Sequence, residues 1–289
     1  MANPKSISFA PVFVSITFPE ITLALSSSAQ LASTIYDVCV FNNSGVPVLV
    51  TGPGWANSSA GTGARGTGAG TAQLLKLGGY WVNQFQMTGT NGTSSYTIPA
   101  FGCTYVGSLY IDATAGQVTA HRTYGQNRKF GVWNAYNRVP IILQAGDSTA
   151  SWNYSSTAIS IRPANNNPAN SITIFSGLPE ESYDFQSVHR MQYSNSASAS
   201  SAAEAYNSIG YNVTNAACGP QGSLYFNPTV GASTFSAGGQ VTGISQCAEP
   251  PSLGINTVTA LEQVVASTNA TVTYFGTVGS MLLTARWRG

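Results

Sequence analysis

Apolar and polar residues alternate with a period of two over much of this chain, the spacing of strands that bury one face. Residues 7–25 open with such a run, with Pro11 and Pro19 marking an edge or turn. Residues 34–41 give a second run, closed by Asn42-Asn43-Ser44-Gly45. That turn sequence predicts that residues 46–50 return as the partner strand of a hairpin. Strand patterns recur at 74–77, 80–85, 96–98, 104–111, 118–121, 130–133, 139–144, 158–161 and 171–175. They resume near 224–226, 234–242, 255–261, 271–275 and 281–287. Gly, Pro, Asn and Asp separate them at intervals of roughly ten residues, the punctuation of a sandwich or barrel. No stretch carries the apolar stripe of an ordinary helix. The pattern predicts an all-β protein, an antiparallel sandwich or jelly-roll-like fold.

Two stretches interrupt the alternation. Residues 52–72 are almost entirely Gly, Ala, Ser and Thr around Trp55 and Arg65. Their composition predicts a flexible loop or an extended arm, and loops of that length often carry interactions. Residues 194–206, rich in Ser and Ala, read as a linker or a short helix. The chain divides on this reading into an N-terminal β domain (1–193), the linker, and a C-terminal β region (207–289).

Charge changes the picture more than length does. Only 7% of the 289 residues are Asp, Glu, Lys or Arg, against roughly 25% in an average soluble protein. Hydroxyls and amides take their place, which suits a surface that packs against copies of itself without repulsion. Aromatic residues at 11% argue against disorder, because a disordered chain lacks the rings needed for a core. A net charge of +1 leaves no footprint for nucleic acid, although Arg122, Arg128, Lys129 and Arg138 cluster loosely. The first residues lack a charged segment leading into an apolar one, and no apolar run approaches a membrane span. Synthesis in a cytoplasm without membrane insertion is expected. Cys39, Cys103, Cys218 and Cys247 form no C-x-x-C pair, so neither a zinc pattern nor a redox motif is expected. Buried free thiols are the favoured reading, with one or two disulfides as the alternative.

Candidate chemistry is sparse. Glu180, Glu181 and Asp184, with His189 nearby, form one acidic cluster, and Leu178-Pro179 before it reads as a turn rather than a catalytic pocket. His121 and His189 are the candidate general bases for a Ser or Cys nucleophile, and neither lies in a G-x-S-x-G or comparable motif. No metal spacing or phosphate-cradling context occurs, so no cofactor is expected. The chain reads as a non-enzyme. Trp55, Trp81, Tyr80, Tyr110, Tyr124 and Tyr136 are candidates for stacking on sugars, a use that competes with core and interface packing.

The run Arg128-Lys129-Phe130-Gly131-Val132-Trp133-Asn134-Ala135-Tyr136-Asn137-Arg138-Val139 resembles an R-K-F-x-V-W-N-x-Y-N-R-V segment of a family encoded among phage and prophage structural genes. Tyr36-Asp37-Val38 through Phe41, Gly102 through Leu109, Ser151-Trp152-Asn153-Tyr154 and Ser208 through Asn212 resemble further family segments in the same order, over about residues 34–215. Stretches within 251–276 and 282–287 resemble the endings of phage tail or head appendage proteins. The resemblance implies a virion structural protein made in the host bacterial cytoplasm, and it carries no catalytic residues across. A tail fibre or appendage contributing to host attachment is the leading expectation, with a head decoration or head-fibre protein second and a glycan hydrolase third. Partners would be copies of the chain (a homotrimer), other virion proteins and a host surface glycan. Trp133, Asn134, Tyr136, Asn137 and Arg138 are expected to form a packing knot, with the two Asn residues satisfying turn backbone and Arg138 pairing across an interface. Gly131 is expected to mark a bulge.

Overall fold

The computed structural model describes residues 18–118, 128–155, 157–195, 203–226, 239–250, 252–267 and 270–289. Among them are twenty strands, one 3₁₀ turn and no α-helix. The first sheet contains β1 (Thr34–Asn43), β2 (Val46–Gly54), β3 (Leu74–Leu77), β4 (Tyr80–Asn83), β5 (Met87–Asn91), β6 (Ser94–Ile98) and β7 (Cys103–Ile111). Their order is β3-β4-β7-β1-β2-β5-β6, and β9 (Val132–Asn134) joins the free edge of β7. The expected hairpin forms between β1 and β2. Ser44 and Gly45 both have positive φ, as a two-residue hairpin turn requires, and Asn42 Oδ1 accepts the Gly45 N–H at 2.6 Å.

The rest of the chain builds two facing sheets. One contains β10 (Pro140–Ala145), β11 (Ser151–Ser155), β14 (Tyr183–Asn195), β17 (Gln240–Glu249), β19 (Ala270–Phe275) and β20 (Met281–Arg288). The other contains β8 (Arg128–Lys129), β12 (Ile159–Pro163), β13 (Ser171–Ser176), β15 (Ala203–Tyr211), β16 (Gly222–Phe226) and β18 (Gly254–Ser267). All described pairs are antiparallel except the short β8–β13 pair. Alternate residues such as Leu143, Phe185, Leu283, Ile172, Ile209 and Val258 meet in one core between these sheets. They form a two-layer sandwich.

Each sandwich sheet is organised on one long strand flanked by shorter collinear ones. Strand β14 pairs with β20 over Asp184–His189 and with β19 over Arg190–Asn195. Likewise β13 and β12 share one edge of β18, and β10 and β11 follow β20 and β19. Three strands are therefore broken, at residues 146–150, 164–170 and 276–280. Asp147 joins the breaks. Its carboxylate accepts hydrogen bonds from the side chains of Asn165, Asn167 and Asn170, and its carbonyl accepts the Thr277 N–H at 2.8 Å. The core divides at this level into a larger cluster and a second one around Met191, Tyr193, Val264 and Tyr274.

Several expectations require correction. Strands on both sides of 194–206 pair within the same two sheets, so no domain boundary falls there. Residues 196–202 themselves lie outside the described residues. The Gly-rich stretch is packed rather than free: Trp55 and Ala72 are buried, and Asn57 bridges to Ala64. The cysteines are not free thiols. Cys39 is bonded to Cys103 and Cys218 to Cys247. Residues 18–25 form no strand, although Leu23 and Leu25 pack against Tyr36, Leu109 and Ile111; the rest of the run expected at 7–25 lies outside the described residues. Beside Gly131 the β7–β9 register runs without a shift, so no bulge forms there.

Candidate functional site

The first sheet meets the sandwich along an apolar seam of Ile35, Trp55, Ala72, Tyr105, Trp133, Phe175, Leu178 and Ile255. An ion pair is sealed into it. Asp37 projects from β1 with 4% of its surface exposed, a position that would be costly for an unpaired carboxylate. Arg65 Nε donates to it at 2.5 Å, Trp55 Nε1 at 3.1 Å and Ser108 Oγ at 2.7 Å. A second Arg65 nitrogen donates to the Gly177 carbonyl at 2.6 Å, on the sandwich side of the seam. The guanidinium also lies 4.4 Å from the centre of the Trp55 ring. Burial alone would lower the pKa of Arg65, but the Asp37 charge and hydrogen bonds outweigh it and raise the value. Gly177 carries no side chain because a Cβ there would run into Tyr105 and Trp133. Arg65 thus ties the Gly-rich segment to both bodies.

Two depressions flank this knot. One, of about 390 Å³, is lined chiefly by Leu74, Trp81, Leu178, Pro179 and Leu253, with Arg65, Gln73 and Glu180 at its margin. The other, of about 360 Å³, is lined by Ser33, Ser58, Ser59, Ala60, Tyr110, Lys129, Thr173 and Ile255. Its segments are anchored. Ser58 Oγ accepts the Ile35 N–H at 2.9 Å, Asn57 Oδ1 accepts the Ser59 N–H at 2.9 Å, and Gly61 N–H donates to Ile255 O at 2.8 Å. Lys129 Nζ donates to Asp112 at 2.9 Å.

The aromatic candidates separate on this geometry. Trp55 is buried beneath Arg65 and offers no face to a ligand, because Asp37 and the seam need its ring and its N–H. Trp81 and Tyr110 are half-buried at the two depressions. Tyr80 and Tyr136 are exposed, and Tyr124 lies outside the described residues. Burial and the neighbouring Tyr80 raise the pKa of the Tyr136 hydroxyl.

The packing knot exists in altered form. Trp133 is buried, stacked on Tyr105 at 6.3 Å between centroids, with the Arg138 guanidinium 4.6 Å from its ring centre. Asn134 Oδ1 accepts the backbone N–H groups of Tyr136 and Asn137, both at 2.9 Å, so Asn137 supplies a donor to the turn through its backbone. Arg138 pairs with Glu180 and Glu181 of its own chain.

The remaining acidic and basic candidates are also engaged. Asp184 faces Arg286 at 3.7 Å. His189 is buried between Trp152 and Tyr274, and burial pushes its pKa down to about 3, against the pull of a hydrogen bond at the Phe275 backbone and the Asp147 charge. His121 lies outside the described residues. Sequence reading passed over Glu262, buried in the sandwich. It accepts from Trp152 Nε1 at 2.7 Å, Tyr154 Oη at 2.5 Å and Arg162 Nε at 3.3 Å. Burial raises its pKa despite those donors. Only the Trp and Tyr at alternate positions of the Ser151–Ser155 strand hinted at it. Among the described residues one trio of possible metal ligands, Cys218, Cys247 and Glu249, lies within 4.8 Å, and its two sulfurs are joined to each other.

No family model and no curated protein matches the sequence. Among solved structures, one of infectious bursal disease virus, Gx strain, aligns at 11% identity with a TM-score of 0.16, over 94% of this chain and 61% of that one. This chain therefore spans less than two thirds of the length of that one, and a TM-score so low carries no argument about fold or role.

Proposed function

We propose that the chain is a structural subunit of a bacteriophage particle, of the fibre or appendage type, which assembles with copies of itself and contributes to host attachment. The observation that carries this reading is the outer face of the β14 sheet. Gln246, Gln186, Thr284 and Gln144 lie in one cross-strand row, with Thr284 itself buried, and Gln240, Gln192, Thr273 and Asn153 in another. Between them run an apolar row of Ile244, Val188 and Leu282 and a row of Thr242, Arg190 and Phe275. Amides and hydroxyls around an apolar stripe, with Arg190 on the Phe275 ring as the charge among these rows, match the centre of a subunit interface, where Lys, Glu and Asp are depleted and Arg is enriched. The resemblance of the Arg128–Val139 run to phage structural proteins points the same way. In this reading the sandwich is the jelly-roll-like body of a homotrimer.

A non-catalytic role fits the carboxylates and histidine as they stand. Glu180 and Glu181 are engaged by Arg138, and His189 is a neutral core residue. The Gly-rich segment is held in the seam by Trp55 and Arg65, whereas a head-decoration role would be better served by an arm free to drape over neighbouring subunits. Gold-labelled antibody against the chain, viewed on purified particles by electron microscopy, tests the assignment. Label at the tail is the expected result. Label over the head would replace it with a decoration role, and unlabelled particles from a lysate containing the antigen would overturn the virion reading.

A further inference from the structure

We propose that the depression between Tyr110 and the Ser58–Ser59 segment binds a neutral pyranose. The idea rests on the attachment reading for its biological role, but the site is argued from its own chemistry. A sugar ring presents several hydroxyls around a weakly apolar face, so a site for it needs closely spaced donors and acceptors with an aromatic surface. Ser33, Ser58, Ser59 and Thr173 supply hydroxyls here, and Tyr110 supplies the ring. Among the described residues, the side-chain oxygens of Ser33, Ser59 and Thr173 carry no hydrogen bond, and Ser58 Oγ uses only its acceptor capacity, on Ile35. Donors therefore remain for a ligand.

Charge decides the class of sugar. Lys129 is the charged residue lining the depression, and Asp112 at 2.9 Å neutralises it. A carboxylated or phosphorylated sugar would have to compete with Asp112, whereas a neutral sugar can donate to one partner and accept from the other. Position decides between the depressions. The one at Trp81 offers mainly Leu and Pro surface, which leaves ring hydroxyls unmatched. Preorganisation adds to the case. Loop backbone, β7 and β8 hold the hydroxyls, ring and ammonium in place before any ligand arrives, which reduces the entropy lost on binding.

Saturation-transfer NMR on the purified chain tests the site, with the methyl glycosides of glucose, galactose, mannose and N-acetylglucosamine at about 10 mM, enough to occupy a millimolar site. Methyl glucuronide serves as the charged comparison. At least one neutral glycoside should receive saturation. Ser59→Trp and Ala60→Trp, both at exposed positions, should each weaken that binding about tenfold or more without lowering the melting temperature. Two substitutions guard against one misfolding. No transfer to any neutral glycoside, transfer to the glucuronide alone, or binding undiminished in both folded variants would overturn the proposal. Tail labelling without sugar binding would leave the attachment reading standing and remove the site. Sugar binding that the variants abolish, on a chain absent from particles, would do the reverse.

Discussion

At Trp133 three attractions fall on one ring: burial in the seam, stacking on Tyr105 and the Arg138 guanidinium above it. Gly177, where a Cβ would lie 2.5 Å from the ring, has no side chain to move into the space the ring would leave. Trp133→Ala should therefore cost about 3–5 kcal/mol, the range for deleting a buried aromatic side chain. Urea unfolding of the variant checks this, and an unchanged midpoint would mean that the seam does not depend on the ring. The Asp37–Arg65 pair works differently. Its Coulomb energy is offset by the desolvation of two charges. What it contributes is placement, because one guanidinium reaches Asp37 of β1 and Gly177 of the sandwich and fixes the Gly-rich segment between them.

Among the elements, the two disulfides do different work. Cys39–Cys103 links β1 to β7 inside the first sheet across 64 residues, and Cys218–Cys247 links the loop after β15 to β17 across 29. Loop-closure entropy predicts that Cys39→Ala with Cys103→Ala lowers stability by about 4 kcal/mol, and the second pair by about 3.5. Chemical unfolding of the two double variants measures both, and equal stability of the first variant and the parent would show that β1–β7 pairing suffices alone. Pairing of this kind is not legible in sequence, since four cysteines admit three connectivities. The hairpin at Asn42–Gly45 was legible because its turn residues demand one geometry. Strand β14 was not. Tyr183, Phe185, Met191 and Tyr193 keep period two, but Ser187 and His189 occupy the same inward face and hide it. The Gly-rich segment read as a free arm because its order comes from Asp37, 28 residues away, and from Gly177, 112 residues away. The proposed sugar site was half visible: Tyr110 stood out as an aromatic, while Ser58 and Ser59 were lost in low complexity.

On the scale of the whole molecule, three strand breaks at one level leave the sandwich dependent on a few polar groups. Asp147 gathers the Asn165, Asn167 and Asn170 side chains and the Thr277 N–H, and His189 lies in β14 where its partner changes from β20 to β19. Both groups make stability depend on acid. His189 is held by burial at about 3, below its ordinary 6.5, so the unfolded chain takes up a proton that the folded chain refuses. Its contribution is complete above pH 6.5 and is lost progressively as pH falls towards 3. Burial works against the Asp147 carboxylate, but hydrogen bonds from Thr149, Asn170 and Asn165 bring it from 3.8 down to about 2. That contribution disappears lower, as pH falls from 3.8 towards 2. Urea midpoints measured across this range should decline in both windows. His189→Gln should flatten the upper window and Asp147→Asn the lower, each at some cost near neutral pH. Because the raised pKa of Glu262 acts in the opposite direction, the comparison with His189→Gln decides: parent and variant midpoints that run parallel from about pH 6.5 to 4 would show that His189 is not kept neutral by the fold. The junction of the strand breaks would then be wetter than its burial implies, and the two halves of the core would have to be held together by the long strands β14 and β18 rather than by the groups at the break.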